Sequence, residues 1–219
     1  MLKSFVSGLV LLGVAAQAAD LSGHVEVLGR SHPEATTVVY AEPLDVPAAE
    51  HPIRATMAQR NKTFIPHVVV VPVNSIIDFP NRDEIFHNIF SDSPAHPFDL
   101  GLYRSGASKS VTFREPGSYR VFCNIHPQMT GVLLVLATPH FVETDGAGNY
   151  RMDLPPGRYR VTAWSERSQP TVKEVSLAGN TTLNLALDES KFVELSHKNK
   201  YGQDYGKGNY DPLRGERPQ

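Results

Sequence analysis

Cys123-Asn124-Ile125-His126-Pro127-Gln128-Met129 places a thiol, an imidazole and a thioether within one short stretch of chain. All three are soft or borderline metal ligands, and the thiolate form of cysteine is the one that binds. Cys123 is the only cysteine in 219 residues. That count excludes an intramolecular disulfide, a Cys-x-x-Cys redox pair, a zinc site of four cysteines or of paired cysteines and histidines, and a Cys-bridged dinuclear centre. A centre built on these three ligands needs a second imidazole from elsewhere. His87, in Phe86-His87-Asn88-Ile89-Phe90-Ser91, is the best placed, because it follows the strand-like run Ser75–Phe79 and the turn Pro80-Asn81.

Two histidines, one cysteine and a weak axial methionine form the ligand set of a mononuclear copper electron-transfer centre. The thiolate and the imidazoles of His87 and His126 supply an equatorial plane. Met129 tunes the potential and leaves no position open for a substrate. The other histidines (His24, His32, His51, His67, His140 and His197 among them) form no His-x-His pair. A multicopper oxidase or a copper nitrite reductase needs a second, histidine-rich copper site, so the sequence predicts a protein that is not an enzyme.

The elements that must position these ligands read as strands. Val25–Leu28, Thr37–Ala41, His67–Val73, Ser75–Phe79, Ser110–Phe113, Tyr119–Cys123 and Val132–Ala137 are short β-branched or aromatic runs, bounded by Pro, Gly, Asn and Asp. The 16 Gly and 17 Pro fit many turns. No stretch sustains the apolar spacing of a helix. The predicted fold class is all-β, an antiparallel sandwich with Greek-key connections plus a smaller β module. In Ser118–Cys123 the parity puts Tyr119, Val121 and Cys123 on one face, so the thiol points inward at a strand end. After Thr138, Arg158–Trp164 alternates cleanly, as do Leu183, Leu185 and Leu187. The fifty or so residues of this second block are few for a sandwich of their own. The N-terminal strands would complete it, with the copper-motif region inserted between.

The first eighteen residues carry Lys3, an apolar run from Phe5 to Ala16 and the small-residue site Ala16-Gln17-Ala18. This is a signal peptide cleaved before Ala19, and it predicts export to the periplasm. The apolar run is too short to span a bilayer, and no later run is long enough. In an oxidising compartment a lone thiol is a liability unless it is buried or metal-bound. The net charge of −2 and the lack of a basic tract argue against nucleic acid as a partner.

Residues 57–137 resemble the cupredoxins, the plastocyanin, azurin and amicyanin group. The resemblance is carried by Phe64-Ile65-Pro66, Asp78-Phe79-Pro80-Asn81, His87-Asn88, Pro116-Gly117, Cys123 through Met129, and Gly131. The Cys-x2-His-Pro-x-Met spacing is most similar to amicyanin. The resemblance implies one type 1 (blue) copper ion held by His87, Cys123, His126 and Met129. It also implies that Asn88 lies beside the cysteine and ties the two ligand loops together, and that electrons pass at the exposed edge of His126. The implied partner is a redox protein, such as a c-type cytochrome or a periplasmic dehydrogenase. A periplasmic copper carrier or sensor, and a structural recognition protein whose copper only stabilises the fold, are the alternatives.

Glu143–Trp164, with Asp145-Gly146, Leu154-Pro155-Pro156-Gly157 and Tyr159, resembles the carboxypeptidase regulatory-like, or transthyretin-like, β-sandwich. Gly23-His24-Val25 and Val38-Val39-Tyr40 are similar to the first strands of that module. The expected organisation is therefore a signal peptide (1–18), N-terminal strands (19–56), a cupredoxin domain (57–137) and a second β module (138–189). A polar tail (190–219) follows, either disordered or packed in extended form along the body.

Overall fold

The computed structural model describes residues 19–94, 97–193 and 196–205. The expected signal peptide and the last fourteen residues lie outside the described residues.

Among the described residues there are strands and no helix. In chain order the strands are β1 (Ala19–Leu28), β2 (Val38–Pro43), β3 (Arg54–Thr56), β4 (Ala58–Arg60), β5 (Thr63–Ile65), β6 (Val68–Pro72), β7 (Ser75–Pro80), β8 (His87–Ser91) and β9 (Phe98–Tyr103). They continue as β10 (Ser108–Phe113), β11 (Gly117–Phe122), β12 (Thr130–Leu136), β13 (Phe141–Glu143), β14 (Asn149–Leu154), β15 (Gly157–Trp164), β16 (Thr171–Leu177), β17 (Thr181–Thr182) and β18 (Leu185–Asp188).

A five-stranded sheet in the order β6-β12-β11-β8-β9 packs on a three-stranded sheet, β10-β7-β3. Alternation supplies the facing side chains. Val69, Val71, Ile89, Tyr119, Val121, Cys123, Leu133 and Val135 come from the first sheet and its ligand loop, and Ile77, Phe79 and Phe113 from the second. Met57 and Phe64 fill the space between. Each such Val, Leu, Ile, Phe or Met side chain, fully buried, contributes about 1.5–3 kcal/mol.

The N-terminal strands pair with the strands that follow residue 138. β1 lies between β14 on one side and β17 and β18 on the other. β2 lies between β13 and β15. A second core joins these two sheets, with Leu21, Val25, Met152 and Leu187 facing Val39, Ala41, Tyr159 and Val161. At the turn before β14, Asp145 Oδ1 accepts the backbone N–H groups of Ala147 and Asn149, so its chemistry is that of a turn.

The structure departs from an all-antiparallel arrangement, and for β6 and β12 burial supplies the reason. The sheets are not purely antiparallel, since β12 pairs in parallel with β6, and β3 with β7. Val68–Val71 and Gly131–Leu136 are buried at every position. Their second face meets Val38 and Trp164, with Tyr40 and Phe141 packed against them. A strand covered on both faces reads as a continuous apolar run, and such runs suit parallel pairing.

Candidate metal centre

Cys123 is the first residue after β11, fully buried. Its inward direction follows from the parity of Tyr119 and Val121, which share its core. The loop then closes on itself. The Cys123 N–H donates to the Met129 carbonyl at 3.2 Å, and the Met129 N–H donates to the His126 carbonyl at 3.0 Å. His87 comes from the opposite direction as the first residue of β8, a strand rather than a loop, and β8 meets β11 at Phe90 and Phe122. Its side chain has no exposure.

These elements bring three ligand atoms together. Cys123 Sγ lies 3.8 Å from His87 Nδ1 and 3.6 Å from His126 Nδ1. Among the described residues this is the only cluster of histidine, cysteine or carboxylate groups close enough to hold a metal ion. The spacing fits a first-row metal. Bonds of about 2.3 Å to sulfur and 2.0–2.1 Å to nitrogen, opened by roughly 110–120°, separate the donors by about 3.6–3.8 Å. The thiolate in the set selects for a soft metal, copper(I) or zinc, and a cysteine with two histidines is the equatorial set of a copper centre. Met129 is fully buried in the same core, at the end of the loop. Just beyond it, a Cβ on Gly131 would come within 3.2 Å of the His67 carbonyl and 3.3 Å of the Met57 side chain. A larger residue at the loop exit would make the Met57 side chain or the His67 carbonyl give by a few tenths of an ångström.

The electrostatics keep both imidazoles neutral. Burial lowers the pKa of His87, against the opposing pull of Asp83. Burial, with help from His87 and Lys62, pushes His126 down to about 4. Burial raises the pKa of the Cys123 thiol, while the backbone N–H groups of Ile125, Asn88 and His126 point at the sulfur and oppose the rise. Those three donors favour the thiolate once a cation displaces the proton.

Asn88 is buried one residue beyond His87. Its backbone N–H points at the sulfur, whereas its side-chain amide donates to Asp99 Oδ1 at 2.7 Å, on β9.

Two contributors escaped the sequence reading. Asp83 Oδ2 accepts from His87 Nε2 at 2.8 Å. This fixes the tautomer that leaves Nδ1 bare toward the sulfur. The carboxylate is itself held by the backbone N–H groups of Asn61 and Lys62, at 2.5 and 2.9 Å. Both residues have φ of 55°, as the two-residue turn joining β4 to β5 requires. No pattern in the sequence links residue 61 to residue 83. The second contributor is the segment 196–205, which lies against the rear of the ligand loop and makes hydrogen bonds to Cys123, Asn124 and Pro127. Packing of the tail along the body is one of the two sequence expectations, but its polar, unpatterned composition carries no sign of which residues it meets.

No protein-family model and no curated protein matches the sequence. Among solved structures, similarity is found to a purple cupredoxin from Nitrosopumilus maritimus, with 23% identity over 37% of this chain and 99% of that one, and a TM-score of 0.34. Amicyanin from Paracoccus versutus is 23% identical over 42% of this chain and 86% of its own, with a TM-score of 0.36. A copper-containing nitrite reductase from Thermus scotoductus is 26% identical over 52% of this chain but 28% of its own, with a TM-score of 0.37. Among the described residues, no helix is long and apolar enough to cross a membrane.

Proposed function

We propose that the protein is an exported type 1 copper protein that carries single electrons between redox partners, such as a c-type cytochrome and a periplasmic dehydrogenase. His87, Cys123, His126 and Met129 hold the metal. The observation that carries this reading is the convergence of one buried sulfur and two Nδ1 atoms at 3.6–3.8 Å, with no carboxylate in the cluster.

Copper bound there supplies a one-electron change between Cu(I) and Cu(II). The chain does the rest. Cys123 gives up its proton and is steadied by three backbone N–H groups. Asp83 and the tight 123–129 loop keep the imidazoles and the sulfur where they are in the metal-free protein. A site that does not rearrange passes electrons with little reorganisation. Phe64 and Met57, both buried in the surrounding core, exclude water. His126 is partly exposed, whereas His87 is not, so the edge of His126 is the port for the electron.

The deciding experiment is spectroscopic. The copper-loaded protein is expected to show an intense visible absorption band and a narrow EPR hyperfine splitting, both lost in Cys123→Ser. A colourless Cu(II) complex with ordinary splitting overturns the proposal. Repeated oxidation and reduction without metal release separates an electron carrier from a protein that delivers copper.

A further inference from the structure

The segment 196–205 makes its polar contacts on the backbone of the ligand loop and on the residues behind it. His197 stacks on Phe122, the last residue of β11, with ring centroids 4.1 Å apart and planes 22° off parallel. Its Nε2–H donates to the Pro127 carbonyl at 2.7 Å. The Tyr205 hydroxyl donates to the Cys123 carbonyl at 2.9 Å, and its oxygen lies 3.2 Å from His197 Nδ1. The Tyr205 ring meets the His197 ring edge-on. Between them the Lys200 N–H donates to Asn124 Oδ1 at 3.0 Å. Lys200 Nζ pairs with Asp99 Oδ2 at 2.7 Å, and the other oxygen of that carboxylate receives the Asn88 amide.

One short segment therefore holds both stretches that carry ligands, the loop after β11 directly and β8 through Asp99. The carbonyls of Cys123 and Pro127 lie in a loop and lack a ladder partner on their own strands, and the segment supplies donors to both. The stacked His197 ring covers Phe122, the residue that precedes the cysteine.

We propose that residues 196–205 are a strap that sets the shape of the ligand loop, with His197 and Tyr205 as positioning residues. The effect on the metal rests on the copper reading above, while the fixing of the loop rests on these contacts alone. A loop held from behind keeps its sulfur and imidazole in place through metal loading and electron transfer, and it slows metal loss.

Two measurements on the full-length protein test this separately. Amide hydrogen exchange in the metal-free protein reports on the Cys123 and Met129 N–H groups. Tyr205→Phe and His197→Ala should each speed their exchange about fivefold, and the double variant roughly twentyfold or more. His197→Gln keeps a donor for Pro127 and should restore much of the protection. In the copper-loaded protein, the same order should appear in the rate of copper loss to a chelator and in the width of the EPR hyperfine splitting. Unchanged exchange at the loop, or an equal rise across the whole chain, overturns the strap. Faster loop exchange in these variants, alongside a wild-type protein that shows no type 1 spectrum, leaves the strap standing and overturns the copper reading.

Discussion

Asp83→Asn is the substitution whose effect on the metal centre can be worked from geometry. Asn keeps the size of the side chain and one acceptor for His87 Nε2, but removes the negative charge. The Asp83–His87 hydrogen bond is 2.8 Å long. Adding the width of the ring and one metal–nitrogen bond of about 2.0 Å puts the carboxylate on the order of 7 Å from a bound ion. The oxidised ion carries one more positive charge than the reduced one. At about 7 Å and an effective dielectric of about 20, that extra charge is worth roughly 2.4 kcal/mol of attraction to the carboxylate. At 59 mV per tenfold change for one electron, removing it raises the reduction potential by about 100 mV. Cu(II) affinity should also fall about 10–100-fold, because the ring loses its charged anchor. Protein-film or solution voltammetry at low ionic strength reads the potential, with Asp83→Glu as the charge-conserving control. A potential that stays within about 20 mV of wild type, or falls, refutes the assignment of Asp83 as the charge that sets it.

Met129→Leu fills nearly the same buried volume without the sulfur, so it should retain copper and shift the potential; complete copper loss on metal analysis would make the thioether an anchoring ligand. In the metal-free protein, the depressed pKa values of His87 and His126 cost stability on acidification. The unfolded chain takes up these protons near pH 6.5 and the folded chain does not, so stability present above about 6.5 is lost as pH falls toward about 4. His67 has the opposite sign, since its bond to Glu166 raises its pKa and its contribution fades as pH rises through that raised value. Urea midpoints from about pH 4 to 8 should therefore show a steeper acid side in wild type than in His126→Ala, and parallel curves would count against the buried-neutral reading of the site. Outside the site, Arg30→Met leaves the Glu189 carboxylate, 1% exposed, with Ser165 but without its cation. Breaking a buried pair costs about 3–5 kcal/mol, and a urea-derived change below about 1 kcal/mol would show that water reaches Glu189.

Much of this was legible in the order of residues. Strand parity aims Cys123 inward, because Tyr119, Val121 and Cys123 must share a face. The two residues between Cys123 and His126 are few enough that a tight turn brings sulfur and imidazole together. Local chain geometry decides both. The buried runs of β6 and β12 were visible as strands, but their parallel pairing was not, since a continuous apolar run says that both faces are covered without saying by what.

The remainder depends on contacts far apart in the chain. His87 lies 36 positions from Cys123, and its approach needs β8 to sit beside β11. Asp83 is fixed by a turn 21 and 22 positions earlier, and the loop carbonyls by a segment 70 and 82 positions later. Single hydrogen bonds across such distances leave no periodic trace, because neither partner has to recur in the sequence. Residue order alone thus specifies an all-β chain and the chemistry of a lone cysteine flanked by histidine and methionine. Folding in three dimensions selects which imidazole faces that sulfur, which carboxylate orients the imidazole, and which stretch of tail lies behind the loop.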